Sequence, residues 1–275
     1  MGAKQLICQI SDLGGVFALG QLARRRHRGY VRAVNYHGTP REHADNFRNQ
    51  LEFYQHHFVD TSRSRLEETL SGKAGKPAIL LSFDDGYRSN YEIAAPLLEE
   101  FGFTGWFFIS SGRYRDDQAE RQLADGQSSE NFMNFAEMKD LIARGHVVGC
   151  HTHTHVRLSE KLNDEELIDE IVTSRSRLQQ ALSDPIDTFC WVGGEDWSYS
   201  TNAAKKIQEA GYDLAFMTNS QAVSSNTDPL WIQRTNIEAD WPLAQVRFYL
   251  SGIMDVVYHS KRQRISKNLE KWRTT

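Results

Sequence analysis

Two adjacent carboxylates, Asp84 and Asp85, are the residues of this sequence best placed to do chemistry. They follow an apolar run at residues 78–81, which predicts a buried strand, and they precede Gly86, which predicts a turn. Successive side chains on an extended chain point to opposite sides, so the two carboxylates are expected to have different partners. One can bind a metal ion while the other faces a reacting water. The alternative is that they cap the helix that follows.

A group of histidines follows a second short apolar strand. His151, His153 and His155 come directly after residues 147–150. One helical turn would place His151 and His155 on the same side, whereas an extended segment would place all three histidines on one face. Either geometry brings two imidazoles to one point, which suits a divalent metal, and the alternative is a surface histidine cluster.

Together the two segments supply one carboxylate and two imidazoles, with coordination positions left open for water and substrate. Catalytic zinc sites have this composition. The same ligand set also suits an Fe(II) oxygenase, so the residue types alone leave that class open.

The two segments resemble the motifs of a known family. Phe-Asp-Asp-Gly at residues 83–86, His-Thr-x-Thr-His at residues 151–155 and Tyr-His-Gly at residues 36–38 are similar to motifs of the polysaccharide deacetylase family (NodB-homology domain, carbohydrate esterase family 4). The resemblance covers roughly residues 34–250. It implies an α/β fold of the irregular (β/α)7 TIM-like barrel type.

The resemblance also implies roles for individual residues. Asp84 would be the general base, and Asp85, His151 and His155 would hold one divalent metal ion, expected to be Zn²⁺. The intervening His153 matches a variable position and receives no role as a ligand.

The third family motif is altered in this chain. The matching run, residues 189–194, lacks the Arg, Pro and Tyr that the family carries there. Gly193 is expected to supply the backbone N–H that stabilises an oxyanion. Arg234, after the last predicted strand, is expected to replace the missing Arg beside the base, the alternative being an ordinary structural arginine.

A general acid and a sugar-stacking residue complete the predicted site. His37, at the end of the first strand, is expected to be the acid, with a hydrogen-bonded core histidine as the alternative. Trp241 and Trp197 could stack on a sugar, with core packing as the alternative for each.

Composition excludes several classes of protein. The chain has 275 residues, 40% of them hydrophobic, which is enough for the core of one large α/β domain. A net charge of −4 and a pI of about 6.2 speak against a nucleic-acid-binding surface. Cys8, Cys150 and Cys190 are odd in number and far apart, which argues against a disulfide framework and fits a reducing compartment.

The N-terminal residues 1–30 are expected to form a helical and basic extension. Residues 6–23 are apolar but interrupted by polar residues, which is poor for a membrane span or a signal peptide. The sequence therefore predicts a cytoplasmic protein. The basic run at residues 24–28 leaves peripheral contact with an anionic membrane surface as an alternative.

Predicted strands alternate with predicted helices along the chain, which indicates a parallel sheet in a barrel at residues 31–258. Polar candidates follow the strands, where α/β barrels place their chemistry. Residues 113–130 are expected to form a long loop, residues 243–257 one helix, and residues 259–275 a basic, exposed tail. Predicted strands are at residues 31–36, 78–83, 104–109, 147–150, 188–192, 214–218 and 231–237, and predicted helices at residues 43–58, 91–101, 163–182 and 201–210.

The sequence thus predicts a metal-dependent N-deacetylase that removes an acetyl group from an N-acetylated amino sugar in a saccharide or glycoconjugate. The altered third motif motivates the alternative of a saccharide-binding pseudoenzyme on the same barrel. A deacylase of a small, non-polymeric amide is the other alternative.

Overall fold

The fold is built on parallel strands that alternate with helices. The computed structural model describes residues 8–9, 11–12, 15–24, 29–73, 75–114, 123 and 126–270, with the side chains of residues 21–24 excepted. Its strands are β1 (Val31–Tyr36), β2 (Val59–Asp60), β3 (Ala78–Phe83), β4 (Gly105–Ile109), β5 (Val147–Cys150), β6 (Thr188–Cys190), β7 (Leu214–Met217), β8 (Ile232–Gln233) and β9 (Thr235–Asn236).

The strands form one parallel sheet that curls almost into a closed barrel. Their order is β8-β7-β6-β5-β4-β3-β1-β9, and β2 pairs beside this path with β3. The two ends of the order, β8 and β9, belong to one segment interrupted only by Arg234. β8 pairs with β7 and β9 pairs with β1, so this segment closes the barrel. Counting it once gives seven barrel positions in the described chain, which confirms the predicted irregular (β/α)7 barrel.

Side chains alternate between the inside of the barrel and the layer beneath the helices. Residues of one parity pack together inside the barrel, and their neighbours in sequence pack against the helices in a separate, larger cluster. Large aromatic side chains fill the interior from three positions, Trp106, Phe108 and Phe216. The barrel interior is therefore a packed core, and polar functional groups must lie at the ends of the strands.

Helices cover the outside of the barrel. They are α1 (Val16–Arg24), α2 (Ala44–His57), α3 (Arg63–Leu70), α4 (Ala95–Glu100), α5 (Phe135–Ala143), α6 (Asp164–Leu167), α7 (Ser174–Leu182), α8 (Thr201–Glu209), α9 (Leu243–Leu250), α10 (Ile253–Val257) and α11 (His259–Leu269). Asn134 and Glu137 form a capping box at the start of α5. Among the described residues, no helix is both long and apolar enough to cross a membrane.

Two helical segments contain π-helical turns. Asn90–Ala94 leads into α4, and Ile168–Thr173 joins α6 to α7 within the long predicted helix. Pro96 lies in the first turn of α4, where its missing N–H costs little.

Two predictions for the C-terminal part were wrong. The predicted helix at residues 243–257 is broken into α9 and α10 at Gly252, whose φ of 100° a helix cannot accommodate. The predicted exposed tail contains α11, in which Arg262, Ile265 and Leu269 are buried. Arg262 donates hydrogen bonds to the backbone carbonyls of Asn219 and Asp255, so a basic residue here fastens the helix to the barrel.

Two other predicted segments lie partly or wholly outside the described residues. They are the basic run at residues 25–28 and most of the predicted loop, at residues 115–122 and 124–125.

The barrel interior predicts one sensitive glycine. A Cβ added at Gly149 on β5 would lie 2.7 Å from the ring of Phe108. Gly149→Ala is therefore expected to destabilise the protein by about 1–3 kcal/mol, because the packed interior has no room for a methyl group. Urea unfolding followed by circular dichroism measures this change. Gly75→Ala is the control, since an added Cβ there meets no atom within 4 Å. Equal stability of the two variants would contradict the packed interior.

Candidate metal centre and active site

The two carboxylates that follow β3 have different partners. Asp84 continues the inward alternation of Ser82, and Asp85 has a left-handed backbone with a φ of 72°. A non-glycine residue rarely adopts this conformation, and such residues cluster at functional sites. Both carboxylates line one cavity instead of capping the helical segment that follows.

Asp85, His151 and His155 bring three potential ligand atoms together. Oδ1 of Asp85 lies 2.8 Å from Nε2 of His155 and 3.6 Å from Nε2 of His151. The Oδ1 atom is buried, and no described group donates a well-formed hydrogen bond to it. A divalent cation among these atoms would satisfy this orphaned oxygen, and two imidazoles with one carboxylate are a ligand set that zinc accepts. The three residues therefore fit a metal ion.

The tautomer of His151 is fixed by a backbone carbonyl. Nδ1 of His151 lies 2.9 Å from the carbonyl oxygen of Cys190, so Nδ1–H donates there and the Nε2 lone pair faces the cluster. Burial lowers the pKa of His151 in spite of the two nearby carboxylates, which keeps the imidazole neutral.

The histidine loop adopts neither geometry considered from the sequence. Thr152 and His155 have positive φ angles of 65° and 64°, so the segment is neither a helical turn nor extended. This path brings the rings of His151 and His155 to a centroid separation of 5.2 Å. His153 points away from this pair, and its Nδ1 lies 2.8 Å from the hydroxyl oxygen of Ser111.

Asp84 is held by a buried guanidinium. Nη1 and Nη2 of Arg234 donate to Oδ1 and Oδ2 of Asp84 at 2.7 and 2.8 Å, and Nη1 also donates to Ser82. Burial alone would raise the pKa of Asp84, but the charge and hydrogen bonds of Arg234 outweigh it and hold the pKa below its ordinary value. The structure thus places Arg234 where the sequence predicts it, beside an ionised Asp84.

Cys190 makes room for this arginine. Its Sγ accepts a hydrogen bond from Nη2 of Arg234 at 2.8 Å and lies 3.6 Å from Oδ1 of Asp84. Burial raises the pKa of the Cys190 thiol, so the thiol stays neutral. A small side chain at the end of β6 therefore leaves room for the guanidinium, which comes from the closing segment of the barrel.

His37 stands at the mouth of the same cavity. Its side chain is 41% exposed, and Nδ1 lies 2.9 Å from Oε1 of Glu238. Burial lowers the pKa of His37, but the hydrogen bond to Glu238 and the negative charge of Asp84 prevail and raise it to about 9. An imidazolium at this place can donate a proton at neutral pH.

The cavity that these residues share has a volume of about 260 Å³. Asn35, Thr218 and Gly193 also line it. Gly193 has a φ of 84°, and its N–H donates to no group in the described chain.

The structure does not bring Trp241 to this cavity. Its ring packs against Tyr249 at a centroid distance of 4.7 Å, which is the core-packing alternative.

Sequence reasoning missed one residue that shapes the candidate metal centre. The buried carboxylate of Glu170 accepts hydrogen bonds from the N–H groups of His153 and Thr154 at 2.8 and 2.9 Å, and from the Thr154 hydroxyl at 2.6 Å. Glu170 lies in the π-helical turn between α6 and α7, and nothing in its sequence neighbourhood distinguishes it from other helical acids. It holds the loop that presents His155.

Removal of this carboxylate is expected to weaken metal binding. Glu170→Ala leaves three donors without their acceptor, and zinc affinity is expected to fall about 10- to 100-fold, as losing support for a ligand typically does. Glu170→Gln keeps one acceptor oxygen, so its zinc affinity should lie between those of the wild-type protein and of Glu170→Ala. Zinc titration against a competing chelator measures the affinity. Glu165→Ala, an exposed acid on α6, is the control. A lowered melting temperature with unchanged zinc affinity would show that Glu170 supports only the fold.

Comparison with known proteins places the chain in a family. The family model for polysaccharide deacetylase matches residues 71–215, which contain both carboxylates and both histidines. A putative polysaccharide deacetylase, YxkH, of Bacillus subtilis is 20% identical over 62% of this chain and 54% of its own length. A chitin deacetylase of Arthroderma benhamiae is 28% identical over 50% of this chain and 32% of its own length. The match thus spans about half of the first relative and a third of the second.

Solved structures share the fold. The Streptococcus pyogenes deacetylase PplD superposes with a TM-score of 0.66 at 19% identity, covering 80% of this chain and 98% of that one. A de-N-acetylase from Aggregatibacter actinomycetemcomitans superposes with a TM-score of 0.67 at 15% identity, covering 80% and 100%. With the family model matched over more than half of its residues, this chain belongs to the polysaccharide deacetylase family.

Proposed function

We propose that this protein is a metal-dependent N-deacetylase that removes the acetyl group from an N-acetylated amino sugar. The single observation that carries this proposal is the pairing of two unlike centres in one cavity. An ionised carboxylate held by Arg234 stands beside a cluster of one carboxylate and two imidazoles with an orphaned oxygen. Amide hydrolysis needs a base and an electrophilic centre in this relation.

Asp85, His151 and His155 would hold a divalent cation, zinc being the expected one. When bound, such an ion lowers the pKa of a water molecule and polarises the amide carbonyl. The neutral His151 and the anionic Asp85 need no proton release to serve as ligands at neutral pH.

Asp84 is the group that takes the proton of the attacking water. Each of its oxygens already accepts one hydrogen bond from Arg234, and Oδ2 keeps a further lone pair for the water. Arg234 keeps Asp84 ionised and fixes its orientation. As the water oxygen bonds to the carbonyl carbon, the proton moves to Asp84.

Gly193 and His37 complete the reaction from the other sides of the cavity. The free N–H of Gly193 donates to the carbonyl oxygen as it becomes an oxyanion. His37, held by Glu238, donates a proton to the amine nitrogen as the C–N bond breaks. The products are acetate and a free amino group.

A sugar acetamide suits this cavity better than a bulky acyl group. The volume of about 260 Å³ accommodates a small acyl group, and its walls are largely polar. The chitin deacetylase among the relatives carries an amino-sugar polymer in its name, which supports the same class of substrate here.

The substitution Asp84→Asn tests the proposal. It keeps the size of the side chain but removes the base, so acetate release from an N-acetylglucosamine tetramer with added zinc is expected to fall about 10²- to 10⁴-fold. Bound zinc, measured by elemental analysis, should stay at the wild-type level because Asp84 is not a ligand in the proposed site. Asp213→Asn is the control, since this carboxylate is 66% exposed.

Two outcomes would contradict this assignment. Retained turnover in the zinc-loaded Asp84→Asn protein would reject Asp84 as the base. A zinc-loaded wild-type protein that binds the tetramer without releasing acetate would favour the pseudoenzyme alternative.

The pH dependence tests His37 as the acid. Because His37 acts in its protonated form, kcat/KM should decline as pH rises through the raised pKa of about 9. Glu238→Gln removes the negative hydrogen-bond partner, so the pKa of His37 falls and the alkaline decline is expected to move to lower pH. Glu100→Gln, at the exposed pair with Arg48, is the control. An alkaline limb that stays in place after Glu238→Gln would remove His37 from this role.

A further inference from the structure

A tryptophan stands exposed beside the active cavity. Trp197 lies in the 3₁₀ turn Asp196–Ser198, and 59% of its surface is accessible. Large aromatic side chains usually bury most of their surface, and an aromatic face left open at the rim of a polar site is suited to stack on a flat apolar ring face.

Arg157 joins this tryptophan to the active cavity. The Arg157 guanidinium carbon lies 5.5 Å from the ring centroid of Trp197. The same guanidinium pairs with Glu195 at 3.1 and 3.3 Å, and both residues line the active cavity with Asp84. Arg157 and Glu195 therefore form one wall of the active cavity. The inner side of this wall faces the reacting group, and its outer side carries Trp197.

A second cavity of about 690 Å³ opens on the outer side of this wall. Trp197 and Tyr199 line it together with the polar residues Lys161, Asp196 and Asn268. An aromatic face surrounded by donors and acceptors is the combination that a pyranose needs, since its ring presents C–H groups on the faces and hydroxyls at the edge.

The second cavity is built on the segment that carries the proposed oxyanion donor. The Tyr199 hydroxyl donates to the carbonyl of Gly193 and accepts from the N–H of Thr218. Asp196 is held from outside by Arg264 at 2.9 Å. The turn bearing Trp197 is thus held by contacts on both sides.

A third cavity adjoins the active cavity. It has a volume of about 560 Å³, and His37 belongs to the walls of both. Tyr87 and Arg88 also line the third cavity. A further recess therefore adjoins the active cavity at His37.

We propose that Trp197, backed by Arg157, forms a subsite for the pyranose next to the reacting unit of the substrate. This inference rests on the proposed function for the identity of the reacting group. The subsite itself is a binding site and is testable without turnover.

Binding to the zinc-loaded Asp84→Asn protein tests the subsite. Isothermal titration with N-acetylglucosamine and with its β-1,4- and β-1,6-linked tetramers gives the gain in affinity from monomer to tetramer. Trp197→Ala in the same background is expected to lose about two- to tenfold in affinity for the preferred tetramer, the range for one aromatic stacking contact. Affinity for the monomer should stay the same, because the monomer occupies the active cavity alone.

A control variant and a second readout separate the outcomes. Val256→Ala removes another exposed apolar side chain, on α10, and should leave tetramer affinity unchanged. Quenching of tryptophan fluorescence by the tetramer should disappear in Trp197→Ala. Equal tetramer affinity with and without Trp197, or no gain from monomer to tetramer, would overturn the subsite.

The two proposals can fail separately. Acetate release by the wild-type protein with an unchanged KM in Trp197→Ala would reject the subsite and leave the N-deacetylase proposal standing. Tetramer binding that depends on Trp197 in a protein that releases no acetate would reject the N-deacetylase proposal and keep the subsite.

Discussion

The buried ion pair between Asp84 and Arg234 is the interaction on which the site depends. An isolated buried carboxylate or guanidinium costs several kcal/mol, so neither residue could occupy its place without the other. Arg234 lies between β8 and β9, where the segment switches its pairing from β7 to β1. The position of Arg234 thus both closes the barrel and keeps Asp84 ionised, and a change that loosened the closing segment would also disturb the proposed base.

The same pair marks the boundary between two parts of the barrel interior. Below it, Trp106, Phe108 and Phe216 form a dry aromatic filling. Above it, the inward positions become Asp84, His151 and Thr218, which line the cavity. The guanidinium of Arg234 touches both parts, since it lies 5.4 Å from the ring centroid of Phe108. The inward-facing strand positions therefore provide core packing at one end of the barrel and line the cavity at the other end. Arg234 lies between these two parts.

Sequence periodicity was sufficient for the features that arise locally. The apolar runs predicted β3 and β5, and the polar residues that end them, Asp85 and His151, meet because parallel strands end at one side of the barrel. The left-handed conformations of Thr152 and His155 could not be predicted, because no glycine signals them. Glu170 could not be found either, since it acts across 16 residues from a π-helical turn.

Asp84 and Asp85 show why neighbours of identical chemistry need not share a role. Asp84 keeps the strand direction and meets a permanent cation, Arg234, which makes it an ionised acceptor. Asp85 leaves that direction through its positive φ and meets two imidazoles instead. The cause of the difference is one backbone angle, and Gly86, with a φ of 77°, extends the same turn. Two adjacent carboxylates thereby reach two centres a few ångströms apart, which is the separation that a base and an electrophile acting on one amide require.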